Sequence, residues 1–201
     1  MVKNLGNLIL RILLSNKLRC FDFKKGNILY FCSMKLSPIS LKWILRSYPP
    51  FFFQRIWVKK IHEGFKGIDV KIYKSFLNIN ANKTLFGGSI FSSVDPIYPI
   101  LLDQAFKAKG MRNTVAWLKS AKIDYLKPGR TNLQFSIRLA EDEIDEAFEF
   151  IKENGKIVKT FTTEIYDNNG IKCAVCQNEI YIRDLSFDVS KLRRREINKI
   201  I

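Results

Sequence analysis

The chain has 201 residues, of which 47% are hydrophobic and 13% aromatic, which is enough for one domain with a packed core and excludes wholesale disorder. Its 34 Lys and Arg residues against 19 Asp and Glu residues give a net charge of +15, which favours anionic partners such as nucleic acid, a membrane surface or a phosphate-bearing small molecule. Four cysteines and the single His62 argue against a disulfide scaffold, a His-rich metal site and a His-based triad, and they favour a reduced, intracellular and cytoplasmic protein.

The first 33 residues are basic, with six Lys and Arg residues against one Asp, and they show no sustained hydrophobic period. Three interpretations stay open for residues 1–33. They are an upstream extension of the reading frame with Met34 as the working start, an organelle-targeting peptide, or a helix that lies on a membrane surface or a partner. No apolar run in the chain reaches the roughly 18 residues that a membrane span needs.

The next elements alternate between helix and strand. A helix is predicted over residues 39–47 and is ended by Pro49 and Pro50, and residues 54–61 are predicted to form a strand. Apolar and polar residues then alternate over residues 68–73, which indicates a half-buried strand.

The most apolar helix of the chain is predicted to run from Gly88 to about Ala105, with a broad hydrophobic stripe and almost no charge opposite it. Such a helix should be wrapped by other structure. Pro96 and Pro99 lie inside it and predict a kink or a break.

The second half of the main domain is predicted to form a strand, a turn, a second strand, a helix and a hairpin. Its predicted strands cover residues 113–127, 133–139, 157–166 and 171–183, and its predicted helix covers residues 141–153. Gly155 is predicted to end that helix, and the turn at residues 167–170 is predicted to close the last hairpin. Six strands with short connections indicate an α+β fold with a largely antiparallel sheet against one apolar helix.

The C-terminal residues 184–201 form a basic tail that contains the run KLRRR at 191–195. A solvated helical end is the simpler interpretation of this run, and a phosphate-binding patch is the alternative. We therefore divide the chain into an N-terminal extension at 1–33, a main domain at 34–183 and this tail.

The segment with the strongest chemical signal is the start of the apolar helix. Gly87 and Gly88 let a ligand approach the free N–H groups of the helix N-terminus, which suit a developing oxyanion. Asp95 follows Gly88 by seven residues, a rotation of about 700° and a rise of about 10.5 Å, and Ser92 lies between them on the same stripe. A carboxylate there is costly unless it is paired or functional, and its pKa should rise as a general base requires.

A separation of about 10 Å is too large for Asp95 and Gly88 of one helix to act on a single carbonyl, which needs contacts of about 3 Å. We therefore expect the site to be completed by the same helix of a second subunit that runs antiparallel. An Asp95 that only anchors the kink at Pro96 is the alternative.

Several motifs together carry a family resemblance. They are TLFGGS at residues 84–89, Val-Asp-Pro at 94–96, YLKPGR at 125–130 and the helix inserted at 141–153. Their order resembles the hot-dog fold, in which a curved antiparallel sheet wraps one central helix and dimers are the usual unit. Over residues 41–183 the chain is similar to a thioesterase-like domain-of-unknown-function family related to the acyl-CoA thioesterases of the phenylacetate pathway.

The resemblance implies a role for each matching residue. The backbone N–H of Gly88, together with Gly87, would polarise the thioester carbonyl, and Asp95 would activate water or attack directly. Asn80 matches an Asn that positions substrate or water, and Ser92 would assist.

Other residues near the glycines are candidates for substrate binding. Relatives often have His just before the glycines or one residue earlier, where this chain has Phe86 and Leu85, so Phe86 is expected to line the substrate site in place of a polar group. Lys127 and Arg130 flank a tight turn and are candidates for contacts with the phosphates of coenzyme A, or else simple polar turn residues.

The function expected from these residues is hydrolysis of an acyl-CoA by a homodimer or a dimer of dimers. A non-catalytic protein that binds acyl-CoA or a lipid-like ligand is the alternative. Coenzyme A enters only as part of the substrate, and no metal, other cofactor or specific nucleic acid is expected. The pair Cys173 and Cys176 lies in a predicted strand, where residues three apart point to opposite faces, so it is not expected to bind zinc.

Overall fold

A computed structural model describes residues 35–188, so the predictions for residues 1–33 and for the basic run at 191–195 lie outside the described residues. The described chain forms five helices, six strands and a short 3-10 turn at Glu63–Phe65. The helices are α1 (Pro38–Ser47), α2 (Pro49–Phe53), α3 (Gly87–Val94), α4 (Ile97–Ala108) and α5 (Glu141–Asn154). The strands are β1 (Ile56–Ile61), β2 (Gly67–Ile72), β3 (Thr114–Tyr125), β4 (Leu133–Arg138), β5 (Lys156–Asp167) and β6 (Lys172–Asp184).

All six strands form one antiparallel sheet in the order β1-β2-β4-β5-β6-β3. β4 lies in its interior and buries alternate residues, as the strict apolar-polar alternation of its sequence predicts. β5 and β6 form the predicted hairpin, and Gly170 takes a φ of 76° in the turn between them. The predicted α+β class and six-stranded antiparallel sheet are thereby confirmed.

The apolar helix lies against the inner face of this sheet, and it is divided into α3 and α4. Pro96 separates them because it cannot donate the hydrogen bond that would continue the helix, which is the break that the sequence predicts. Pro99 causes no second break, because it lies in the first turn of α4, where a helix tolerates proline. The core around both helices includes Val94, Ile97 and Leu101, which are almost fully buried.

The predicted start of the first strand was wrong, and one short helix before it was not predicted. Pro49 and Pro50 end α1 as expected, but they also occupy the first turn of the short helix α2, a position that suits the fixed φ of proline. Phe51 in α2 is buried, and Gln54 caps the end of this helix, so β1 begins at Ile56 and not at residue 54.

The inserted helix α5 matches its prediction more closely. Three acidic residues lie in its first turn, and Gly155 ends it in the left-handed conformation with a φ of 77°. No helix within residues 35–188 has the length and apolar character needed to cross a membrane.

Candidate active site

Gly87 and Gly88 are the first two residues of α3, and they present unused hydrogen-bond donors. The N–H groups of Ser89 and Ile90 donate to the carbonyl of Phe86 at 3.0 and 3.2 Å. The N–H groups of Gly87 and Gly88 donate to no atom of the described chain. Two free amides at a helix N-terminus are the arrangement that stabilises an oxyanion.

The loop that leads into α3 is held by Asn78, which no sequence pattern singled out. Its side-chain amide donates to the carbonyls of Gln54 at 2.7 Å and Tyr73 at 2.9 Å, and its oxygen accepts from the N–H of Ser75 at 2.8 Å. The backbone carbonyl of Asn78 accepts from the N–H of Phe86 at 2.9 Å. This buried side chain therefore connects the start of β1 and the end of β2 to the residue that precedes the glycines.

The segment between β3 and β4 meets the same helix end. The N–H of Leu85 donates to the carbonyl of Gly129 at 2.9 Å, and the hydroxyl of Tyr125 donates to the carbonyl of Gly87 at 2.9 Å. That carbonyl belongs to the same peptide group as the N–H of Gly88. A Cβ on Gly87 would lie 3.0 Å from the Tyr125 hydroxyl, which is a physical reason for glycine at this position. Tyr125 carried no predicted role.

Phe86 and Leu85, the two residues before the glycines, have opposite environments. Leu85 is buried in the core, whereas 56% of Phe86 is exposed. A Cβ on Gly88 would overlap the ring of Phe86, so this ring lies directly against Gly88. The free amide of Gly88 therefore has an apolar wall on one side.

Asp95 immediately follows α3, at the opposite end from the glycines. The side of α3 that carries Ser93 and Val94 is buried against the sheet, whereas Gly88, Ser92 and Asp95 are only half-buried. These three residues share one face that points away from the chain's own core, as their spacing predicts. The free donors and Asp95 lie at the two ends of α3, about 10.5 Å apart at 1.5 Å per residue, so a single chain does not bring them to one carbonyl.

The Asp95 carboxylate has no hydrogen-bond partner within the described part of the chain, and partial burial raises its pKa. The buried thiol of Cys176 lies near the Asp95 carboxylate. Burial is the larger cause and the negative charge of Asp95 the smaller cause that raise the pKa of this thiol to about 11. Asn178, also buried, accepts a hydrogen bond from Cys176 and donates to the carbonyl of Val94 at 3.3 Å. β6 thereby holds the end of α3 that carries Asp95.

Asn80 is engaged within its own loop. Its side-chain oxygen accepts from the backbone N–H groups of Asn82 and Thr84 at 3.0 and 3.1 Å, and its amide nitrogen lies 2.9 Å from the Thr84 hydroxyl. These contacts give Asn80 a structural role in the loop, and its expected contact with substrate stays a prediction.

The remaining predicted residues have their polar groups available. Lys127 and Arg130 are exposed on the turn next to Gly129 and form no ion pair with any of residues 35–188. Ser92 is half-buried, and its hydroxyl contacts no hydrogen-bond partner in that range. The turn is brought to the helix end by the bond from Leu85 to Gly129, so both cations border the candidate site.

His62 and the cysteine pair take no part in this arrangement. His62 lies just after β1, where its Nε2 atom is 3.0 Å from the carboxylate of Asp69. Cys173 and Cys176 are both buried, unbridged thiols in β6. Within residues 35–188 no three His, Cys, Asp or Glu side chains are grouped as a metal site would require.

Comparison with known proteins identifies a family and a fold. The family described as "Domain of unknown function (DUF4442)" matches residues 39–182. No curated protein is similar to this sequence.

Several solved structures are similar in fold at low sequence identity. A protein of unknown function from Chlorobaculum tepidum is 14% identical with a TM-score of 0.62, over 75% of this chain and 98% of that one. A protein described as a probable thioesterase from Pseudomonas aeruginosa is 14% identical with a TM-score of 0.58, over 75% and 98% of the two chains. A thioesterase from Haemophilus influenzae is 11% identical with a TM-score of 0.56, over 78% and 97%. The described chain therefore has the thioesterase-like hot-dog fold that the motifs predicted.

Proposed function

This chain belongs to the DUF4442 family, and from that premise we propose that it hydrolyses the thioester bond of an acyl-CoA, as a homodimer or a dimer of dimers in the cytoplasm. One observation carries the proposal. α3 has two unused backbone donors at its start and an unpartnered carboxylate at its end, all on the helix face that its own core leaves half-buried. Hydrolysis of a carbonyl compound requires hydrogen-bond donors that stabilise the oxyanion and a base that activates water.

A second copy of the chain would bring a carboxylate and a pair of backbone donors to the same carbonyl. If α3 of each protomer lies antiparallel to α3 of its partner, Asp95 of one protomer faces the glycines of the other, and two equal sites form. β3 favours such pairing, because it is a sheet edge of 12 residues and carries the exposed side chains of Trp117 and Tyr125.

The reaction then follows from the chemistry of each group. The thioester oxygen accepts hydrogen bonds from the amides of Gly88 and Gly87, which makes the carbonyl carbon more electrophilic. The Asp95 carboxylate takes a proton from water as the water oxygen bonds to that carbon, and the resulting oxyanion stays on the amides. Collapse of the intermediate breaks the carbon–sulfur bond, and the leaving thiolate of coenzyme A receives the proton from Asp95. Direct attack by Asp95, followed by hydrolysis of the anhydride, is the other route open to this carboxylate.

The surroundings of the glycines suit the rest of an acyl-CoA. The ring of Phe86 offers an apolar wall for the chain that bears the carbonyl, and Ser92 has a hydroxyl available on the same helix face. Lys127 and Arg130 are exposed cations on the adjoining turn, where phosphates of the nucleotide end would find charge-assisted donors.

A non-catalytic role in binding acyl-CoA or a lipid-like ligand is the second candidate function. The observation that favours it is the apolar environment of the Gly88 amide, where the exposed ring of Phe86 replaces a side chain that could orient water.

Thiol release from a panel of acyl-CoAs separates the two functions. We expect release by the unmodified chain and a loss of about 10²- to 10⁴-fold for Asp95→Asn, which keeps the shape of the side chain and removes the base. Glu146→Gln is the matched control, because Glu146 is an exposed carboxylate on α5, away from the glycines. Tight acyl-CoA binding without release that depends on Asp95 would reject the enzymatic proposal.

A further inference from the structure

Acidic residues are distributed unevenly over the described chain. Residues 35–62 and 70–94 contain no Asp or Glu, whereas they contain nine cations; Glu63 and Asp69 are the only acidic residues between the two ranges. These are Lys35, Lys42, Arg46, Arg55, Lys59, Lys60, Lys71, Lys74 and Lys83. None of the nine forms an ion pair with a described residue. The proposed hydrolysis gives no function to this surplus.

Contacts between α1, β1 and the end of β2 place Arg46 and Arg55 close to the first strand. The guanidinium of Arg46 lies 4.2 Å from the ring centre of Trp57 and 4.8 Å from that of Trp43. The N–H of Tyr73 donates to the carbonyl of Arg55 at 3.0 Å, which joins the residue after β2 to the residue before β1. α1 and β1 are therefore adjacent, and Arg46 lies beside the exposed cations Arg55, Lys59 and Lys60 of this part of the structure. The one acidic residue opposite them, Asp69 on β2, is already paired with His62 and Arg138.

Apolar side chains project beside these cations. Phe52 and Phe53 at the end of α2 are 54% and 62% exposed, and Phe76 and Leu77 in the loop after β2 are 84% and 51% exposed. The hydrogen bonds of Asn78 to Gln54 and Tyr73 hold this loop beside the end of α2. A cleft of about 370 Å³ beside the end of α2 is lined by Phe52, Arg55, Ile56, Trp57 and Tyr73.

We propose that this surface, which we call the basic aromatic face, docks the protein onto an anionic membrane surface. Phe and Leu have no polar group, so burial among acyl chains compensates for the water contact that they lose. The surrounding lysines and arginines meet the anionic headgroups, and their long side chains reach past the inserted rings. The N–H of Phe86 donates to the carbonyl of Asn78, so the loop that carries Phe76 and Leu77 is connected to the start of α3.

Charge argues against a second copy of the chain as the occupant. A two-fold contact would place the cations of this face against their own copies, and like charges at close range repel. Lys59 and Lys60 lie on the edge strand β1 next to an irregularity at Val58, which disfavours the addition of another strand.

The aromatic rings favour lipid over nucleic acid. Proteins that bind single strands offer open ring faces on which bases stack. Here the rings of Trp43 and Trp57 are already covered by Arg46, and two of the three exposed phenylalanine rings of this face, Phe52 and Phe53, are packed edge to face at 84°.

Vesicle sedimentation with the full chain tests the proposal. We expect binding to phosphatidylcholine vesicles that contain 30% phosphatidylserine, loss of binding at high salt, and little binding to pure phosphatidylcholine. The pair Lys59→Gln and Lys60→Gln should weaken binding by about fivefold for each cation removed, and the pair Phe52→Ser and Phe53→Ser by about tenfold. Circular dichroism confirms that each variant is folded.

The matched control is the pair Lys152→Gln and Lys156→Gln, which removes the same charge from α5 and the start of β5. An equal loss in the control pair would show that net charge alone attracts the protein, and it would overturn the proposal. So would absence of vesicle binding, binding of single-stranded RNA alone with the same variant dependence, or dissociation of an oligomer by the Phe pair. Thiol release measured on the same variants without vesicles reports on the proposed hydrolysis separately, because none of the altered residues belongs to the candidate active site.

Discussion

Tyr125 is expected to set the orientation of the proposed oxyanion donor. Its hydroxyl donates to the carbonyl of Gly87 at 2.9 Å, and this carbonyl and the N–H of Gly88 are opposite ends of one planar peptide group. A hydrogen bond to the carbonyl fixes that plane and polarises the N–H at its other end. Tyr125→Phe removes only the hydroxyl and leaves the ring beside Gly87.

The magnitude follows from the bond that is lost. A neutral hydrogen bond contributes about 1 kcal/mol net, which corresponds to about fivefold in rate if the bond acts on the transition state. Complete removal of an oxyanion donor costs about 10²- to 10³-fold, so a change that only loosens the donor should cost less. We expect kcat for thiol release to fall about fivefold to tenfold, with KM unchanged, because the donor acts on charge that develops after binding.

Steady-state thiol release with one acyl-CoA gives both constants, and thermal unfolding shows whether the fold is intact. Tyr181→Phe is the matched control: Tyr181 stacks on Trp117 with ring centres 4.4 Å apart, and its hydroxyl has no hydrogen bond within residues 35–188. An unchanged kcat for Tyr125→Phe, or a rise in KM alone, would refute the assigned role of Tyr125.

Four further predictions concern the same region. Asp95→Asn should raise the melting temperature at pH 7 but not at pH 3. Because burial raises the pKa of Asp95, its charge destabilises the folded state only above the pKa of the unfolded chain. Below that value the carboxyl is neutral in both states, so the substitution changes little. The acid limb of kcat/KM for the unmodified chain should for the same reason lie above the usual range of an aspartate, and a limb at or below that range would contradict Asp95 as the base. Asn78→Ala should lower the free energy of unfolding by about 3 kcal/mol in urea titrations, because it leaves the carbonyls of Gln54 and Tyr73 without their donor; a loss under 1 kcal/mol would show that water replaces the side chain. Gly87→Ala should displace the Tyr125 hydroxyl and lower kcat as much as Tyr125→Phe, and the double variant should be no worse than either; additive losses would separate the two residues.

Much of the fold was predictable because the signals are local. The alternation in β4, the acids and Gly155 that bound α5, and the break at Pro96 each depend on the sterics and periodicity of a few adjacent residues. The shared face of Gly88, Ser92 and Asp95 is predictable for the same reason, since it requires only the pitch of a helix. The helix that begins at Pro49 was missed because proline ends one helix and starts another with the same fixed φ.

The contacts around the glycines could not be predicted in this way. Tyr125 is 38 residues from Gly87, and their hydrogen bond depends on the pairing of β3 with β6 and on the turn at Gly129 meeting Leu85. Asn78 and Asn80 look alike in the sequence, yet only Asn78 donates to distant carbonyls, those of Gln54 before β1 and Tyr73 after β2. The side chain of Asn80 is bonded within its own loop. Helical pitch and strand alternation are properties of neighbouring residues, whereas the partner of a side chain far along the chain is decided by how the whole sheet packs.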